Sequence, residues 1–379
     1  MELFLLLVFF CAFYMALEIF FSKVWNKGLH VDMHFEDSIV REGGRTRLVE
    51  TISNQKKIAL PILHVKITLP RSFHFPLSNN SAITDCYYRH DIFSVGRNEE
   101  LIRKLDFTCT KRGVYHVNSL SYSTRDYFLA NTFAINKTVE EYLYVTPKKM
   151  LPMELPLKIQ GLIGDTVSEK AMFEDPFEFK GIRQYQPYDN YRSINWKISA
   201  RQQELQVNTH FSTYTCELFF VLNLSPRKLS ENIDILEKSI SILSTMTSHF
   251  IHLKIPVGFT TNGLDIETSR MLTILPGLGT HHEQKIDLKL ACIDLGNPCE
   301  PIEKCLASIP DKQHTQVIFI SASQHHEALE TFAEIERLSE HSIWILPVIP
   351  DEDKEESPII KPQKGTLLKW EVNLYEVTD

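Results

Sequence analysis

The 379-residue sequence contains little glycine or proline, and its charge is not basic. With 14 glycines and 18 prolines, it has too few for a collagen-like repeat or a long low-complexity linker. Lysine and arginine total 40 against 48 aspartates and glutamates, a formal charge of −8. We therefore expect no nucleic-acid partner, because such proteins usually present a strongly basic face. The 43% apolar and 23% charged residues are typical of a globular chain of about two domains.

Cysteine is too sparse and too irregular for a disulfide framework or a zinc site. The seven cysteines are odd in number, and no two of them have CxxC spacing. Disulfide-rich domains use dense, even sets of cysteines, and structural zinc sites show close pairs. We therefore expect free or buried thiols, no metal and no cofactor.

Familiar catalytic signatures are missing as well. The sequence has no GxSxG elbow, no Walker A loop and no GxGxxG segment after a strand. Two histidine pairs, His281-His282 and His325-His326, are each followed by glutamate. Adjacent histidines on a helix point in different directions, so we interpret both pairs as polar helix starts rather than metal ligands.

The first 22 residues predict a membrane anchor. Residues 3–21 are apolar apart from Glu18, and with their flanks they reach about 30 Å as a helix. A cleaved signal peptide is the alternative, but it would need a basic start and a small-residue cleavage site. The only charge before the run is Glu2, whereas Lys23 and Lys27 follow it. Positive charge on that side predicts a single-pass protein in the cell membrane with most of the chain in the cytoplasm.

Residues 23–150 have the alternating pattern of half-buried antiparallel strands. One such run is Val31, Met33 and Phe35, and others lie at 63–69 and 105–109. Turn residues such as Gly43-Gly44 separate the runs. Several short strands without a long helix between them predict a β-sandwich-like domain.

Residues 216–350 predict an α/β domain. Apolar runs at 218–222, 255–259, 317–320 and 343–348 are typical of strands covered on both faces. Helical spacing follows the first run, with Ser230 as a candidate N-cap, and follows the third run up to Leu338. This alternation predicts a parallel sheet with helices on both faces. Residues 351–379 are interpreted as a linker followed by an edge strand or a loose tail.

Residues 151–215 join the two predicted domains and carry an unusual motif. Arginines, tyrosines, a tryptophan and an aspartate recur between Arg183 and Arg201. We expect Asp189 to cap a helix that begins at Asn190 and to accept a hydrogen bond from Arg183 or Arg192. Arg192, Trp196 and Ala200 would then share one face of that helix, with the guanidinium stacked on the indole.

The motif resembles the signature of a prokaryotic membrane-associated family, domain of unknown function 58. The matching residues are Arg183, Tyr185, Asp189, Arg192, Ile194, Trp196, Ser199, Ala200, Arg201, Leu205 and Val207. Tyr188 stands where the family has a glycine, so the local turn is expected to differ. The resemblance implies an N-terminal anchor, a β-rich region and a C-terminal domain similar to von Willebrand factor type A. It also implies a partner, an AAA+ ATPase of the MoxR type.

Type A domains often hold a metal in a loop after their first strand, and the corresponding loop here is altered. It contains Asn223, Ser225 and Arg227, where the metal-binding loop would have an aspartate and two serines. A later strand ends in Ser321-Ala322-Ser323 without an aspartate. Hard divalent cations prefer carboxylate ligands, so we expect this loop to hold no metal.

The sequence thus predicts an α+β multidomain chain: a transmembrane helix, a β-sandwich-like domain and a type A-like domain. Its expected role is that of a non-enzymatic, membrane-anchored adaptor that works with the ATPase in envelope assembly or maturation. Arg183, Tyr185, Asp189 and Arg192 are interpreted first as part of a buried network between the domains. The alternative is that they bind an anion, in a cell-envelope enzyme or ligand-binding protein. An outward-facing adhesion or sensor protein is the third possibility.

Overall fold

The computed structural model describes most of the chain outside two long segments. The described residues are 2–76, 81–84, 86–126, 130–150, 159, 161, 174–187, 189, 191–212, 217–226, 233–310, 315–339, 342–348 and 365–371. The protein is of the mixed α+β class and consists mostly of sheet, which confirms the predicted class at that level. It divides into two compact units, unit 1 (1–148 with 287–293) and unit 2 (149–286 with 294–379).

The N-terminal apolar run forms one long helix, α1 (Glu2–Val24). Within it, residues Phe4–Val24 are long and apolar enough to cross a membrane. Most of its apolar side chains are exposed, whereas Phe21 and the following Trp25 are buried. The helix therefore contacts unit 1 near its C-terminal end.

Unit 1 contains two antiparallel sheets. Its ten strands are β1 (Leu29–Phe35), β2 (Ile39–Arg41), β3 (Arg45–Asn54), β4 (Leu60–Pro70), β5 (Phe73–His74), β6 (Ser81–Ile83), β7 (Cys86–Val95), β8 (Glu99–Cys109), β9 (Gly113–Arg125) and β10 (Thr132–Thr146). One sheet has the order β1-β3-β8-β5 and the other β2-β10-β9-β4-β7-β6. Within them, only β2 and β10 pair in parallel among the described ladders.

Inward-facing side chains of both sheets form one apolar core. Val31 and Met33 of β1, Leu48 of β3, Leu63 of β4 and Leu120 of β9 all belong to it. The expected alternation is confirmed, since every second side chain is buried throughout β1 and from Leu63 to Leu69 in β4. Each buried aliphatic side chain contributes roughly 1.5–3 kcal/mol relative to its exposed state.

A buried group of ions connects the two sheets of unit 1. Asp91 of β7 accepts hydrogen bonds from Arg89, at 2.5 Å, and from Arg103 of β8. Arg103 also pairs with Glu50 of β3 at 2.5 Å. Burial raises the pKa of Glu50, whereas the two guanidinium groups outweigh the burial of Asp91 and lower its pKa.

Unit 2 begins with a two-stranded hairpin followed by a larger α/β region. The hairpin strands are β11 (Glu174–Gln184) and β12 (Gln206–Ser212), and between them lie a short 3-10 helix (Tyr191–Ser193) and α2 (Trp196–Gln202). The later elements are β13 (Glu217–Asn223), α3 (Ile233–His252), β14 (Val257–Asp265), β15 (Met271–Gly277), α4 (Thr280–Ala291), β16 (Ile293–Asp294), a 3-10 helix (Ile302–Ser308), β17 (Thr315–Ser321), α5 (His326–Leu338), β18 (Ser342–Val348) and β19 (Thr366–Glu371).

The main sheet has the order β15-β14-β13-β17-β18-β19, with β16 beside β14. Its four predicted strands exist and pair in parallel, and β19 adds a parallel edge strand. At the other edge the sheet also contains a strand that was not predicted, β15, which runs antiparallel to β14. Residues 287–293, at the end of α4 and the start of β16, are counted with unit 1. The histidine pairs lie at the starts of α4 and α5, as predicted. Ser230 and the predicted linker lie outside the described residues.

Candidate functional site

The motif residues lie on the hairpin formed by β11 and β12. Arg183 of β11 pairs with Val207 of β12, and Tyr185 N donates to Leu205 O at 2.8 Å. An isolated bridge joins Ile194 to Val207, and both side chains are buried. The pairing of β11 with β12 thus brings the two ends of the motif together. The residues between them, including α2, lie outside this two-stranded ladder.

Two polar side chains fix α2 against β12. Asn195 is the N-cap, and its Oδ1 accepts from Ile198 N at 3.2 Å. Its Nδ2 donates to Asn208 Oδ1 at 2.8 Å. Ser199 Oγ donates to Asn195 O and accepts from Gln206 N, both at 2.8 Å. These bonds satisfy backbone groups at a helix end and hold this short helix in one orientation.

The expected helix that begins at Asn190 is wrong. Residues Tyr191–Ser193 form a 3-10 turn, and the α-helix begins only at Trp196 because Asn195, not Asp189, caps it. Arg192 therefore precedes the helix and does not share a face with Trp196 and Ala200. Tyr188, where the motif departs from the family pattern, lies outside the described residues.

Asp189 instead closes the turn that precedes the 3-10 helix. It accepts two hydrogen bonds of 2.6 Å from the guanidinium of Arg183, a bidentate pair of the kind that gives strong, directional contacts. Gln186 N donates to the same carboxylate at 2.7 Å. The Arg183 guanidinium holds the pKa of Asp189 below its usual range. The pair expected between Arg183 and Asp189 is thus present.

Within unit 2, several side chains of the motif are exposed. The Arg183 side chain is 42% exposed, and Trp196 and Tyr191 are 66% and 72% exposed. Tyr185 stacks on Tyr191 with ring centroids 6.0 Å apart, and a hydrogen bond with Tyr191 raises the pKa of Tyr185. The motif presents aromatic side chains at a surface of unit 2 rather than enclosing them in a core.

Further apolar and basic side chains surround these rings in the sequence and are exposed too. We define the motif surface as the exposed residues Ile182, Tyr191, Arg192, Trp196, Lys197, Ala200, Arg201 and Leu205. Aromatic residues and arginine are enriched in the energetic centres of protein interfaces. The motif surface combines two exposed aromatic rings with exposed basic side chains.

A second polar cluster lies at the carboxyl ends of three adjacent strands. Asn223 ends β13, Ser321 ends β17, and Asn262 lies near the end of β14. All three side chains are buried. Asn223 Nδ2 donates to Ser321 Oγ at 3.1 Å, and its Oδ1 accepts from Ser225 N at 3.0 Å.

Asn262 is the centre of this cluster, which we name the strand-end amide network. Its Nδ2 lies within donating distance of Asn223 Oδ1, Ser225 Oγ and Glu300 O, at 3.1, 2.9 and 3.1 Å. Its Oδ1 accepts from Leu224 N at 2.8 Å. Sequence reasoning identified Asn223 and Ser225 but missed Asn262, because a single polar residue in a buried strand has no spacing signal. Arg227 lies outside the described residues.

The chemistry of this network is that of neutral amides and hydroxyls. Its oxygen atoms already accept hydrogen bonds, and no carboxylate side chain takes part in the hydrogen bonds described above. Across the described part of the chain, no three His, Cys, Asp or Glu side chains group in a way that could hold a metal ion. Hydrogen bonds to these amides and hydroxyls therefore stabilise the loop that follows β13.

The motif and the strand-end amide network fall within one matched region. Residues 181–321 match the family described as "Protein of unknown function DUF58". This part of the chain is similar to the DUF58 family. The resemblance predicted from the motif is thereby confirmed, and the DUF58 region extends from β11 to the end of β17. It contains both the motif surface and the network at the ends of β13, β14 and β17.

Several solved structures are distantly similar to part of the chain. AvmM, which catalyses macrocyclization in alchivemycin A biosynthesis, is 8% identical with a TM-score of 0.23, over 33% of this chain and 94% of that one. A cohesin module from Clostridium perfringens is 13% identical with a TM-score of 0.21, over 30% of this chain and 96% of that one. Native α-2-macroglobulin from Escherichia coli is 11% identical with a TM-score of 0.25, over 32% and 24%. No curated protein matches the chain.

Proposed function

We propose that this protein is a membrane-anchored, non-enzymatic adaptor whose DUF58 domain binds a protein partner through the motif surface. The proposal rests on the exposure of Tyr191 and Trp196. Both side chains lie in a segment that its own hydrogen bonds hold in place, which we call the frame. Burying an aromatic side chain removes a large apolar area from water, and such residues dominate binding energies when a partner covers them.

The frame supports this role because the hydrogen bonds that hold it lie within the motif segment and β12. Asn195 and Ser199 fix α2, while Asp189 neutralises Arg183 and closes the preceding turn. A surface that is ordered in advance pays less conformational entropy on binding. The bidentate pairing of Arg183 also leaves that guanidinium less available for an anionic substrate.

The proposed partner is an AAA+ ATPase of the MoxR type, as the family resemblance implies. In this proposal the parallel sheet of unit 2 belongs to a type A-like domain whose loop is held by the strand-end amide network without a metal. Helix α1 would keep the adaptor in the membrane, with most of the chain in the cytoplasm, where an ATPase has access to ATP. The ATPase would act on clients in envelope assembly.

Site-specific photocrosslinking in the native membrane tests this proposal. A photoreactive amino acid replaces Trp196 in one variant and Leu275 in a matched control, because Leu275 is 64% exposed and lies outside the motif surface. We expect the Trp196 variant to crosslink to an AAA+ ATPase identified by mass spectrometry, and the Leu275 variant to give little of that product. Equal products from both positions, or products without any ATPase, would contradict the proposal.

The second candidate function is binding of an anionic ligand, in an envelope enzyme or binding protein. Arg192, Lys197 and Arg201 are all exposed in this short segment, which is the observation in its favour. Saturable binding of inorganic phosphate or an anionic lipid headgroup, lost in Arg192→Ala with the fold retained, would favour this candidate over the adaptor. Isothermal titration calorimetry of the purified chain measures it.

A further inference from the structure

We infer that the end of unit 1 that carries α1 lies directly on an anionic phospholipid surface, which its exposed basic side chains contact. We call this region the helix-bearing end. It comprises residues 23–28, the β3–β4 turn at 55–59, the β7–β8 turn at 96–98 and Arg125 at the end of β9. The inference rests on the proposed membrane anchoring but concerns lipid, not the protein partner.

The helix is joined rigidly to unit 1 at this end. Phe21 and Trp25 belong to the apolar core of unit 1. The Phe21 ring lies 5.7 Å from that of Phe133, and the Trp25 ring lies 6.1 Å from that of Tyr122. Asn26 Oδ1 accepts from the Tyr122 hydroxyl at 3.0 Å. With the last turn of α1 built into the core, the helix-bearing end must follow the helix to the membrane boundary.

The surrounding turns are tied to the same helix end. Lys56 Nζ donates to the carbonyls of Val24 and Trp25 at the end of the helix, where backbone carbonyls lack partners within the helix. Gln55 N donates to Gly28 O at 2.8 Å. Asn98 N donates to Lys56 O at 3.2 Å. The α1–β1 connection and the two turns therefore form one continuous surface around the point where α1 leaves unit 1.

The exposed charge of this surface is mostly positive. Its exposed basic residues are Lys23, Lys27, Lys57, Arg97 and Arg125. The exposed acidic residues beside them in the described chain are Glu99 and Glu100, and Glu99 accepts a hydrogen bond from Gly96 N. Asp126 is buried and accepts from Ala130 N at 2.8 Å. Five cations against two exposed anions contrast with the chain's total of −8.

An anionic bilayer is the partner that matches both the charge and the position of this surface. Basic residues next to a membrane helix are attracted to acidic lipids, with a gain of roughly fivefold in binding per lysine or arginine close to the surface. Because α1 itself brings the surface to the headgroups, contact with them requires no further recruitment. Lys57 and Arg97 are the clearest contributors, since both lie at turn tips away from the helix.

Hydrogen exchange of the full chain in lipid nanodiscs tests this inference. Nanodiscs of phosphatidylcholine alone are compared with nanodiscs that also contain phosphatidylglycerol. Helix α1 anchors the chain in both, so incorporation tests the anchoring and the exchange difference tests the surface contact. We expect the amides of residues 55–59 and 96–98 to exchange at least about fivefold more slowly with phosphatidylglycerol present, and roughly 0.5 M salt to remove the difference.

Charge reversal provides the matched control. Lys57→Glu/Arg97→Glu should abolish the slower exchange, whereas Arg45→Glu/Arg71→Glu, at the opposite ends of β3 and β4, should leave it unchanged. Exchange of core amides in β4 and β9 reports in the same experiment whether each variant is folded. Equal exchange of the wild-type turns in both nanodiscs, or the same loss in both double variants, would overturn the inference.

Discussion

Asn262 is a buried residue of β14 whose side-chain amide connects several neighbouring segments. Its Nδ2 lies within donating distance of oxygen atoms of Asn223, Ser225 and Glu300. Its Oδ1 accepts a hydrogen bond from Leu224 N. A carboxylate has nearly the same shape but no N–H groups. Substituting one for the other therefore separates hydrogen bonding from packing at this position.

We predict that Asn262→Asp destabilises unit 2 by about 3 kcal/mol or more, because a buried charge would then face oxygen acceptors. The matched control is Asn136→Asp on an exposed position of β10, for which little change is expected. The measurement is the denaturant dependence of hydrogen exchange in residues 217–226. A variant as stable as the control would show that the network does not depend on the donors of Asn262.

Neutralising the two buried carboxylates of unit 1, Asp91 and Glu50, should lower its stability by different amounts. Asp91 pairs with both Arg89 and Arg103 and its side chain is 1% exposed. Asp91→Asn would leave two guanidinium groups without their shared anion, so we expect a loss of about 3–5 kcal/mol. Glu50 has one partner, Arg103, and a buried Oε1 without a hydrogen bond, so Glu50→Gln should cost clearly less.

Denaturant unfolding of unit 1, followed by hydrogen exchange of its core strands, measures both variants. The pH dependence of the stability of unit 1 gives a second check on Glu50. Because burial raises its folded pKa, the folded state retains this proton above the ordinary pKa of 4.5, and stability from this group falls as the pH rises from there to the folded pKa. That contribution should be missing in Glu50→Gln. Equal costs for the two variants would contradict this account of the ion group.

At the scale of elements, Lys56 links the end of α1 to the β3–β4 turn. Burial lowers its pKa from 10.5 to about 8, so the folded state releases the proton more readily than the unfolded chain. Between about pH 8 and 10.5 the unfolded state binds more protons, and the free energy of unfolding contributed by Lys56 must rise with pH. Below this window the contribution is constant.

We therefore predict that the difference in stability between wild type and Lys56→Met changes with pH only in this alkaline window, in favour of wild type as the pH rises. Thermal unfolding in detergent at a series of pH values measures it. Burial raises the pKa of Cys109 to about 12, so its contribution to stability falls as the pH rises. Because Cys109 is present in both proteins, this contribution cancels when the two stabilities are subtracted. A flat difference from pH 7 to 11 would show that Lys56 is solvated normally.

Regular patterns made some elements predictable from sequence. The strands β1 and β4 follow from alternation alone, and β13, β17 and β18 follow from apolar runs, since burial on one face or on two dictates these patterns. β14 extends beyond its apolar run because Thr260, Thr261 and Asn262 are buried polar residues. Hydropathy cannot indicate a strand whose polar groups are satisfied by partners distant in the sequence.

The motif could be identified from sequence, but its geometry could not. The Arg183–Asp189 pair was expected, since the residues are close in the chain and opposite in charge. The helix start was misplaced because both Asp189 and Asn195 are good N-caps, and tertiary bonds from Asn195 to β12 favour the second. The expected stacking of Arg192 on Trp196 depended on that helix start, because Arg192 precedes the helix that begins at Trp196.

At the scale of the whole molecule, the charge is divided between surfaces rather than spread evenly. The chain is acidic overall at −8, yet the motif surface and the helix-bearing end both carry exposed basic side chains. The first combines them with exposed aromatic rings, which suits a protein partner. The second surrounds the end of an apolar helix, which suits a lipid headgroup layer.

The central claim is that the motif surface binds an AAA+ ATPase, and the most direct test is an affinity measurement. The full chain in nanodiscs is titrated with the purified MoxR-type ATPase, for wild type, Trp196→Ala and the equally exposed control Leu275→Ala. We predict that Trp196→Ala weakens binding about 30-fold, the effect of losing an aromatic hot spot of about 2 kcal/mol, and that Leu275→Ala binds like wild type. Unchanged binding in Trp196→Ala, or no binding by wild type, would contradict the account.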